Sequence, residues 1–399
     1  MRVKLKDVCT FYTGTGFPKK YQGQLSGTYP FYKVGDIANN VVSGKVYLEQ
    51  CNNYISEETL ELIKGSIIPK NTIVFAKIGE ALKLNRRAIT STDCLIDNNA
   101  MGIAAKSDKL RTLFFYYFMR NIKMELLAES TTVPSVRKSR LEAYEIDIPS
   151  LDEQKIIEGK LTILSKVINL KEKQLLKLDE LVKARFVEMF GDPVLNDKSW
   201  QVIKLGELCS KICSGNTPKG GSDNYKKEGI MFFRSQNVWK NRLELDDIVY
   251  IDEATHERMK ETSLNYGDIL ITKTGRINTE NSSLGRSALF LGKNGSANIN
   301  GHVYLVRINS ELVNRNFVLQ ILISPQYRDL IRRVCVGGID KRQLNQNHIY
   351  DFPIIVPPLE LQNQFASFVE EIDKSRSRIQ KSLEASQELF DSLMQEYFG

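Results

Sequence analysis

The sequence predicts an α/β (α+β) chain in which one plan is used twice: a body of mixed strands and helices, then a long helix. Three observations carry that expectation. Short phrases recur in a fixed order at a shift of about 200 residues, two Pro-free stretches near the middle and the end share a helical apolar period, and the bodies between them mix strand-like and helix-like runs. A chain of 399 residues is long for one core and comfortable for two.

The repeat opens with "VKLKDVC" at 3–9, answered by "IKLGELC" at 203–209. Pro18-Lys19 recurs as Pro218-Lys219, "PFYKVGDI" (30–37) as "MFFRSQNV" (231–238), and "YISEET" (54–59) as "YIDEAT" (250–255). "IVFAKIG" (73–79) and "ILITKTG" (269–275) both end Lys-x-Gly, and "IDIPSLDEQ" (146–154) matches "IIVPPLELQ" (354–362). From there the shift holds at 208 to the end, where "ELVKARFVEMFG" (180–191) faces "ELFDSLMQEYFG" (388–399). Insertions are thus tolerated in the bodies and not in the tails, as a rigid spacer joined to a variable binding module would require.

Each tail reads as one helix. Between Pro149 and Phe190, and between Pro358 and Phe398, there is no proline and only one glycine, Gly159. Apolar residues fall at Ile157, Leu161, Leu164, Ile168, Leu175, Leu178, Val182 and Met189 in the first tail. In the second they fall at Phe365, Val369, Ile372, Ile379, Leu383, Phe390 and Tyr397. Steps of three and four give the coiled-coil period. Lys171 and Ser386 interrupt it, and Arg376 stands where the first tail has Ile168. About 40 residues make a helix of about 60 Å. The expectation is an antiparallel coiled-coil pair that holds the bodies apart, which makes the chain pseudo-two-fold and pseudo-circular, with its last turn beside the first body. The boundaries read 1–148 for the first body and 149–191 for its helix. A linker and the second body then take 192–356, and the second helix 357–399.

In the bodies, strand-like runs such as "TIVFAKI", "DILITKT" and "HVYLVRI" alternate with helical stretches such as "LRTLFFYYFMRNIKMEL". Glycine- and asparagine-rich loops separate them. Net charge is uneven: residues 1–149 carry 21 Lys/Arg against 15 Asp/Glu, 150–199 carry 9 of each, 200–356 carry 21 against 16, and 357–399 carry 4 against 8. Two basic bodies suggest a polyanionic partner. The loops hold what a DNA reader needs: Lys and Arg for phosphates or guanine, Asn and Gln for adenine. In the second body the candidates are Lys219, Arg234, Gln236, Asn237, Lys273, Arg276, Asn278, Arg286, Lys341, Arg342 and Gln343. Those of the first are Lys19, Lys20, Lys33, Lys77, Lys83, Arg86, Arg87, Arg137, Lys138 and Arg140. Lys77 and Lys273 lead, because both copies keep them between a strand and a glycine.

Catalytic and metal signatures are wanting. Six scattered cysteines without a CxxC pair read as reduced thiols, and three histidines at no ligand spacing offer no zinc site. No phosphate-binding GxxxxGK[ST] loop occurs, nor the Asn-Pro-Pro-aromatic signature of amino-methyltransferases. No apolar run is long enough for a membrane span and the N-terminus lacks a signal-peptide core, so a cytoplasmic protein is expected. An enzyme with an unrecognised site and a protein-interaction scaffold are the rival readings.

With "KLGEL" (204–208), "SGNTPK" (214–219), "ITKTG" (271–275), "PPLELQNQ" (357–364) and "FVEMFGDP" (186–193) in that duplicated setting, the chain resembles the specificity subunit of type I restriction-modification systems over nearly its full length. The resemblance implies two target-recognition domains, each reading one half of a bipartite, asymmetric site in double-stranded DNA. It also implies that the helices set the gap and dock two methyltransferase subunits, to which restriction subunits would add cleavage. The chain would then bind no cofactor of its own; S-adenosylmethionine, ATP and Mg would belong to the partners. The first body departs from the pattern, with "YTGTGFPK" for the second body's Asn-Thr-Pro loop and Ile78 for Thr274.

Overall fold

A computed structural model describes residues 2–106, 108–129, 133–277, 279 and 281–399. It resolves into two compact units: Met1–Gln174 together with Ile379–Gly399, and Leu175–Arg378. Each long helix, Leu151–Phe190 and Leu359–Phe398, is continuous and contributes one part to each unit.

In the first unit the all-buried run Thr72–Ala76 lies at the centre of a five-stranded sheet, between Ala100–Ala105 and Arg87–Thr90. Cys9–Thr13 and the short parallel strand Tyr47–Leu48 complete its edges. Such β-branched and aromatic runs suit a strand covered on both faces. Tyr54–Ile55, Tyr29–Tyr32 and Leu95–Ile96 form a second, three-stranded sheet. The aromatic helix Thr112–Asn121 covers the larger sheet, and Phe114, Phe115 and Tyr117 are almost wholly enclosed.

The second unit repeats this plan. Ile269–Thr272, again all buried, sits between Val303–Ile308 and Ser287–Leu289, with Cys209–Ser214 outside Val303–Ile308. A three-stranded sheet of Val249–Ile251, Ile230–Phe233 and Ala297–Ile299 accompanies it, and helix Arg315–Ile323 covers the core.

The duplicated sequence becomes duplicated hydrogen bonding. The N–H of Leu5 donates to the carbonyl of Tyr144 at 2.9 Å, and that of Leu205 to Phe352 at 2.8 Å, beside the antiparallel pairs Arg2–Lys4 with Glu145–Asp147 and Gln201–Lys204 with Pro353–Val356. One turn into each long helix lies a fully buried glutamine. Gln154 accepts from the Arg111 N–H (2.9 Å) and donates to the carbonyls of Lys109 and Pro149 (both 3.0 Å). Its counterpart Gln362 accepts from the Asn314 N–H (2.9 Å) and donates to the carbonyl of Pro357 (2.7 Å). Each carboxamide thus ties the start of its long helix to the start of the body's own core helix.

Local chemistry sets the helix ends. Ser150 and Glu153 form a reciprocal capping box, the Glu153 N–H donating to Ser150 Oγ (3.3 Å) and the Ser150 N–H to the Glu153 carboxylate (2.9 Å). The Ser150 hydroxyl, which donates to the Glu153 carboxylate (2.7 Å), and after it the Ser150 N–H hold that carboxyl below its ordinary value. At the other end Gly191 takes φ +77°, the left-handed conformation that stops a helix at little cost in glycine.

Within each unit the two helix segments run antiparallel. In the first, Lys160 Nζ reaches the Tyr397 hydroxyl (3.1 Å) and Lys171 Nζ reaches the hydroxyls of Ser382 and Ser386 (both 2.7 Å). In the second, Arg376 meets Asp179 at 2.6 Å. The interruptions of the apolar period are therefore interhelical polar contacts. Every apolar position predicted on the tails is buried or half-buried. The period does not reveal that many of them face a body as well: Ile157, Leu161, Leu164, Ile168, Phe390 and Tyr397 join the first core, and Val182, Met189, Phe365, Val369 and Ile372 the second.

The matched Phe-Gly endings finish the two cores. Phe190 packs edge-on against Phe317 (centroids 4.7 Å) and its carbonyl accepts from Trp200 Nε1 (3.0 Å). Phe398, at the same place in the repeat, packs on Phe114 (5.3 Å) and its carbonyl accepts from Asn121 Nδ2 (2.7 Å). Each body thus receives the C-terminal end of the helix that follows the other body.

Replacing Gln362 by Ala leaves the Asn314 N–H and the Pro357 carbonyl buried without partners. At about 1–3 kcal/mol for each orphaned group, Gln362→Ala should cost about 2–6 kcal/mol, read as a lowered denaturant midpoint; Gln154→Ala should behave alike. A destabilisation under about 0.5 kcal/mol in both variants overturns the latch.

Candidate nucleic-acid interface

Lys273 follows the central strand of the second body. Its N–H donates to the carbonyl of His302 (2.8 Å), its own carbonyl accepts from Leu344 (2.9 Å), and its ammonium lies 5.5 Å from the Tyr304 ring centre. Beyond it the chain forms a small sheet in which Lys341–Gln343 pairs with Thr274–Arg276 on one side and Val336–Gly337 on the other. The register sets Thr274 opposite Gln343, Gly275 opposite Arg342 and Arg276 opposite Lys341. Lys273, Arg276, Lys341, Arg342 and Gln343, spread over 70 positions of sequence, are thereby brought together. Gly275 is demanded by space, since a Cβ there would lie 2.3 Å from the Leu284 nitrogen.

Lys77 sits in the same clasp in the first body: its N–H donates to Asn99 (2.8 Å) and its carbonyl accepts from Val136 (2.9 Å). The glycine that follows has another cause. Gly79 has φ +77° and open space around its Cα, so conformation and not crowding selects it.

Val136 and Leu344 occupy equivalent places in the two clasps, so Arg137 answers Asn345, and Lys341–Gln343 answer 133–135. The first body's three cations lie just past the clasp, exposed, with Arg137 paired to Glu129 (2.7 Å) and Lys138 to Glu142 (3.5 Å).

A second gathering in the second body surrounds Asp247. Its carboxylate accepts from Gln236 Nε2 (2.9 Å) and Asn237 Nδ2 (2.8 Å) and pairs with Arg234 (3.2 Å). Gln236 foremost, with Arg234 and Asn237, holds this exposed carboxyl below its usual range. Asn237 is fully buried, and its amide is used up on Asp247 and on the Glu244 and Arg234 backbone. It shapes the turn and cannot reach a base. Arg286 is likewise inside: its guanidinium stacks 3.8 Å from the Trp239 ring, donates to the carbonyls of Asn281 and Ser282, and is pulled downward in pKa by burial. Gln236, Arg276 and Arg286 share the wall of a polar cavity of about 320 Å³ with Ser235, Thr279 and Asn281. Lys219 is exposed in its glycine-rich loop, and Asn278 lies outside the described residues.

In the first body, Lys19 and Lys20 occupy an exposed turn, Lys20 lying 4.6 Å from the Tyr21 ring. Lys33 Nζ donates to Gln22 Oε1 (2.6 Å) beside the stacked pair Phe17 and Phe31. Lys83 pairs with Glu80 at 2.8 Å, and half-buried Arg86 lines a cavity of about 420 Å³ with Arg120 and Asn169. Arg87 departs from the expectation of a DNA-facing cation. It is 1% exposed and donates to the Asn85 carbonyl and side chain and to the Ile122 carbonyl; burial brings its guanidinium down to about 9. Its place on a strand beside Phe75 turns it into the core, which a run of basic residues in sequence cannot reveal.

The sequence reading missed Asp247, the Trp239 stacking surface and the Asn99 and His302 carbonyls of the clasps; only the acid pair Asp246-Asp247 carried a local signal. Among the described residues no group of three His, Cys, Asp or Glu could hold a metal, and no helix is long and apolar enough to cross a membrane.

The "Type I restriction modification DNA specificity domain" family model matches twice, over residues 1–180 and 197–387. The chain is 23% identical to the type I restriction enzyme MjaIX specificity subunit of Methanocaldococcus jannaschii over 98% of its length and 90% of that protein. Its likeness to the putative MjaX specificity subunit of the same organism is also 23%, but spans 50% of this chain and 46% of that one. In fold it is similar to the crystallised type I restriction-modification S subunit from M. genitalium, with a TM-score of 0.62 at 15% identity over 100% of this chain and 96% of that one. A further solved chain of a type I R-M system gives 0.56 at 17% identity, covering 100% and 97%. With two copies of the family's domain filling its two bodies, the chain belongs to the type I restriction-modification DNA specificity family, and is a specificity subunit and not a catalyst.

Proposed function

We propose that this chain reads a bipartite, asymmetric site in double-stranded DNA, one half with each body, and directs adenine methylation and cleavage by partner subunits. The observation that carries the reading is the duplicated clasp. In both bodies a lysine at the end of the central buried strand is bonded through N–H and carbonyl to two separate loops, and cations gather beside it. Phosphate contacts from such cations supply affinity, and base edges supply sequence. The bodies act as target-recognition domains over 1–148 and 192–356, and the helices over 149–191 and 357–399 act as an antiparallel coiled-coil spacer. The spacer docks two methyltransferase subunits, and restriction subunits join the same complex. S-adenosylmethionine, ATP and Mg serve those partners, and the complex works in the cytoplasm. The helix end contributed to each body by the opposite helix supports a pseudo-circular, pseudo-two-fold chain.

Co-expression with an adenine methyltransferase partner, followed by genome-wide methylation profiling, should yield one two-part motif; methylation without a motif overturns the reading. Lys273→Ala with Arg276→Ala should weaken binding of the full complex to that motif and flatten the salt dependence of log K by about 1 for each phosphate that the complex then leaves free. Arg87→Ala separates structure from DNA binding. It should lower the unfolding midpoint by the equivalent of about 2–4 kcal/mol while leaving the salt slope unchanged. Joining the termini and reopening the chain after Gly191 should preserve the motif, as a circular plan requires.

A further inference from the structure

We propose that Ile339 reads the 5-methyl group of a thymine in the half-site recognised by the second body; this rests on the DNA-reading function above. Ile339 is 89% exposed, the most exposed large apolar side chain among the described residues. It stands at the turn between Val336–Gly337 and Lys341–Gln343, the outer hairpin of the small basic sheet.

Both neighbours of Ile339 are fastened. The Gly338 carbonyl accepts from Arg342 Nε (3.4 Å). Asp340 pairs through its carboxylate with Arg276 Nε (3.3 Å), and its carbonyl accepts from the Ile277 N–H (3.1 Å). The hairpin needs glycine on its approach: Gly337 has φ +137°, and a Cβ there would lie 2.7 Å from the Lys341 carbonyl oxygen. The tip is therefore tied on both sides while its apolar side chain is held out in solvent. An isoleucine in water forgoes the stabilisation that burial would give it, so such a tip is poised for an apolar surface.

The charge around the tip selects that surface. Asp340 is neutralised by Arg276, and Lys341 and Arg342 flank the turn, which suits a polyanion. A two-stranded ribbon fits the DNA major groove, and there the thymine methyl is the one apolar group that the base edges present. An apolar tip on a basic ribbon thus matches thymine, while Arg276, Arg342 and Gln343 are placed for phosphates and purine edges.

The test uses the full chain in complex with its methyltransferase partner and a duplex carrying the motif found by methylation profiling. Each thymine of the second half-site is replaced in turn by deoxyuridine, which lacks only the methyl group. One such duplex should bind the wild-type complex about three- to tenfold more weakly. Ile339→Ala should bind the dT and dU duplexes equally, Ile339→Val should keep the preference for dT, and neither should lower the melting temperature. The proposal is overturned if no deoxyuridine position weakens binding, if the effects of Ile339→Ala and deoxyuridine simply add, or if the half-site contains no thymine. Weaker binding by Ile339→Ala that ignores the methyl group also overturns it and points to wedging between bases or to a protein contact. A wild-type complex that methylates with no motif instead sinks the DNA-reading function itself.

Discussion

Each unit depends on the angle at which its long helix leaves the body, and one buried carboxamide fixes that departure. Gln154 and Gln362 are fully enclosed, and each satisfies the first free N–H of a core helix while donating back to the proline carbonyl just before its own helix. A buried amide hydrogen-bonded through both its oxygen and its nitrogen is specific because each alternative geometry strands a polar group. The pairing of Arg2–Lys4 with Glu145–Asp147, and of Gln201–Lys204 with Pro353–Val356, then holds the start of each body beside that departure point.

Energetically the aromatic ends dominate. Phe186, Phe190, Phe317 and Phe365 form one ring cluster in the second unit; in the first, Phe398 packs on Phe114 and Phe118, and Phe390 on Tyr117. Each buried phenylalanine contributes about 1.5–3 kcal/mol, against about 0–1 kcal/mol for a partly exposed ion pair such as Arg376 with Asp179. The rings hold helices to bodies. The polar contacts at Lys171 and Arg376 add little energy, but they penalise a slip of one helix along the other.

Lys-x-Gly was a strong sequence signal for the clasp because lysine follows a run that can only be a central buried strand, yet its glycine answers two different demands, crowding at Gly275 and a left-handed backbone at Gly79. The polar candidates divide in the same way. Arg276, Lys341 and Arg342 meet on one small sheet, whereas Arg87, Arg286 and Asn237 turn inward. Arg87 lies on a strand, where two faces are available and the neighbouring strands decide which one is buried, while Arg286 and Asn237 lie in turns closed by bonds to nearby backbone. Local composition does not contain that information.

The order of the repeat, the two long helices, the mixed character of the bodies and the family resemblance were all legible in sequence, because period, proline and glycine act through neighbours along the chain. Tertiary structure alone decided that Lys171 meets Ser382 and Ser386, that three polar candidates serve the fold, and that Ile339 is held out by ties to Gly338 and Asp340. The reason is physical: each of these joins residues far apart in sequence or depends on which face of a strand is covered, and no local pattern encodes either.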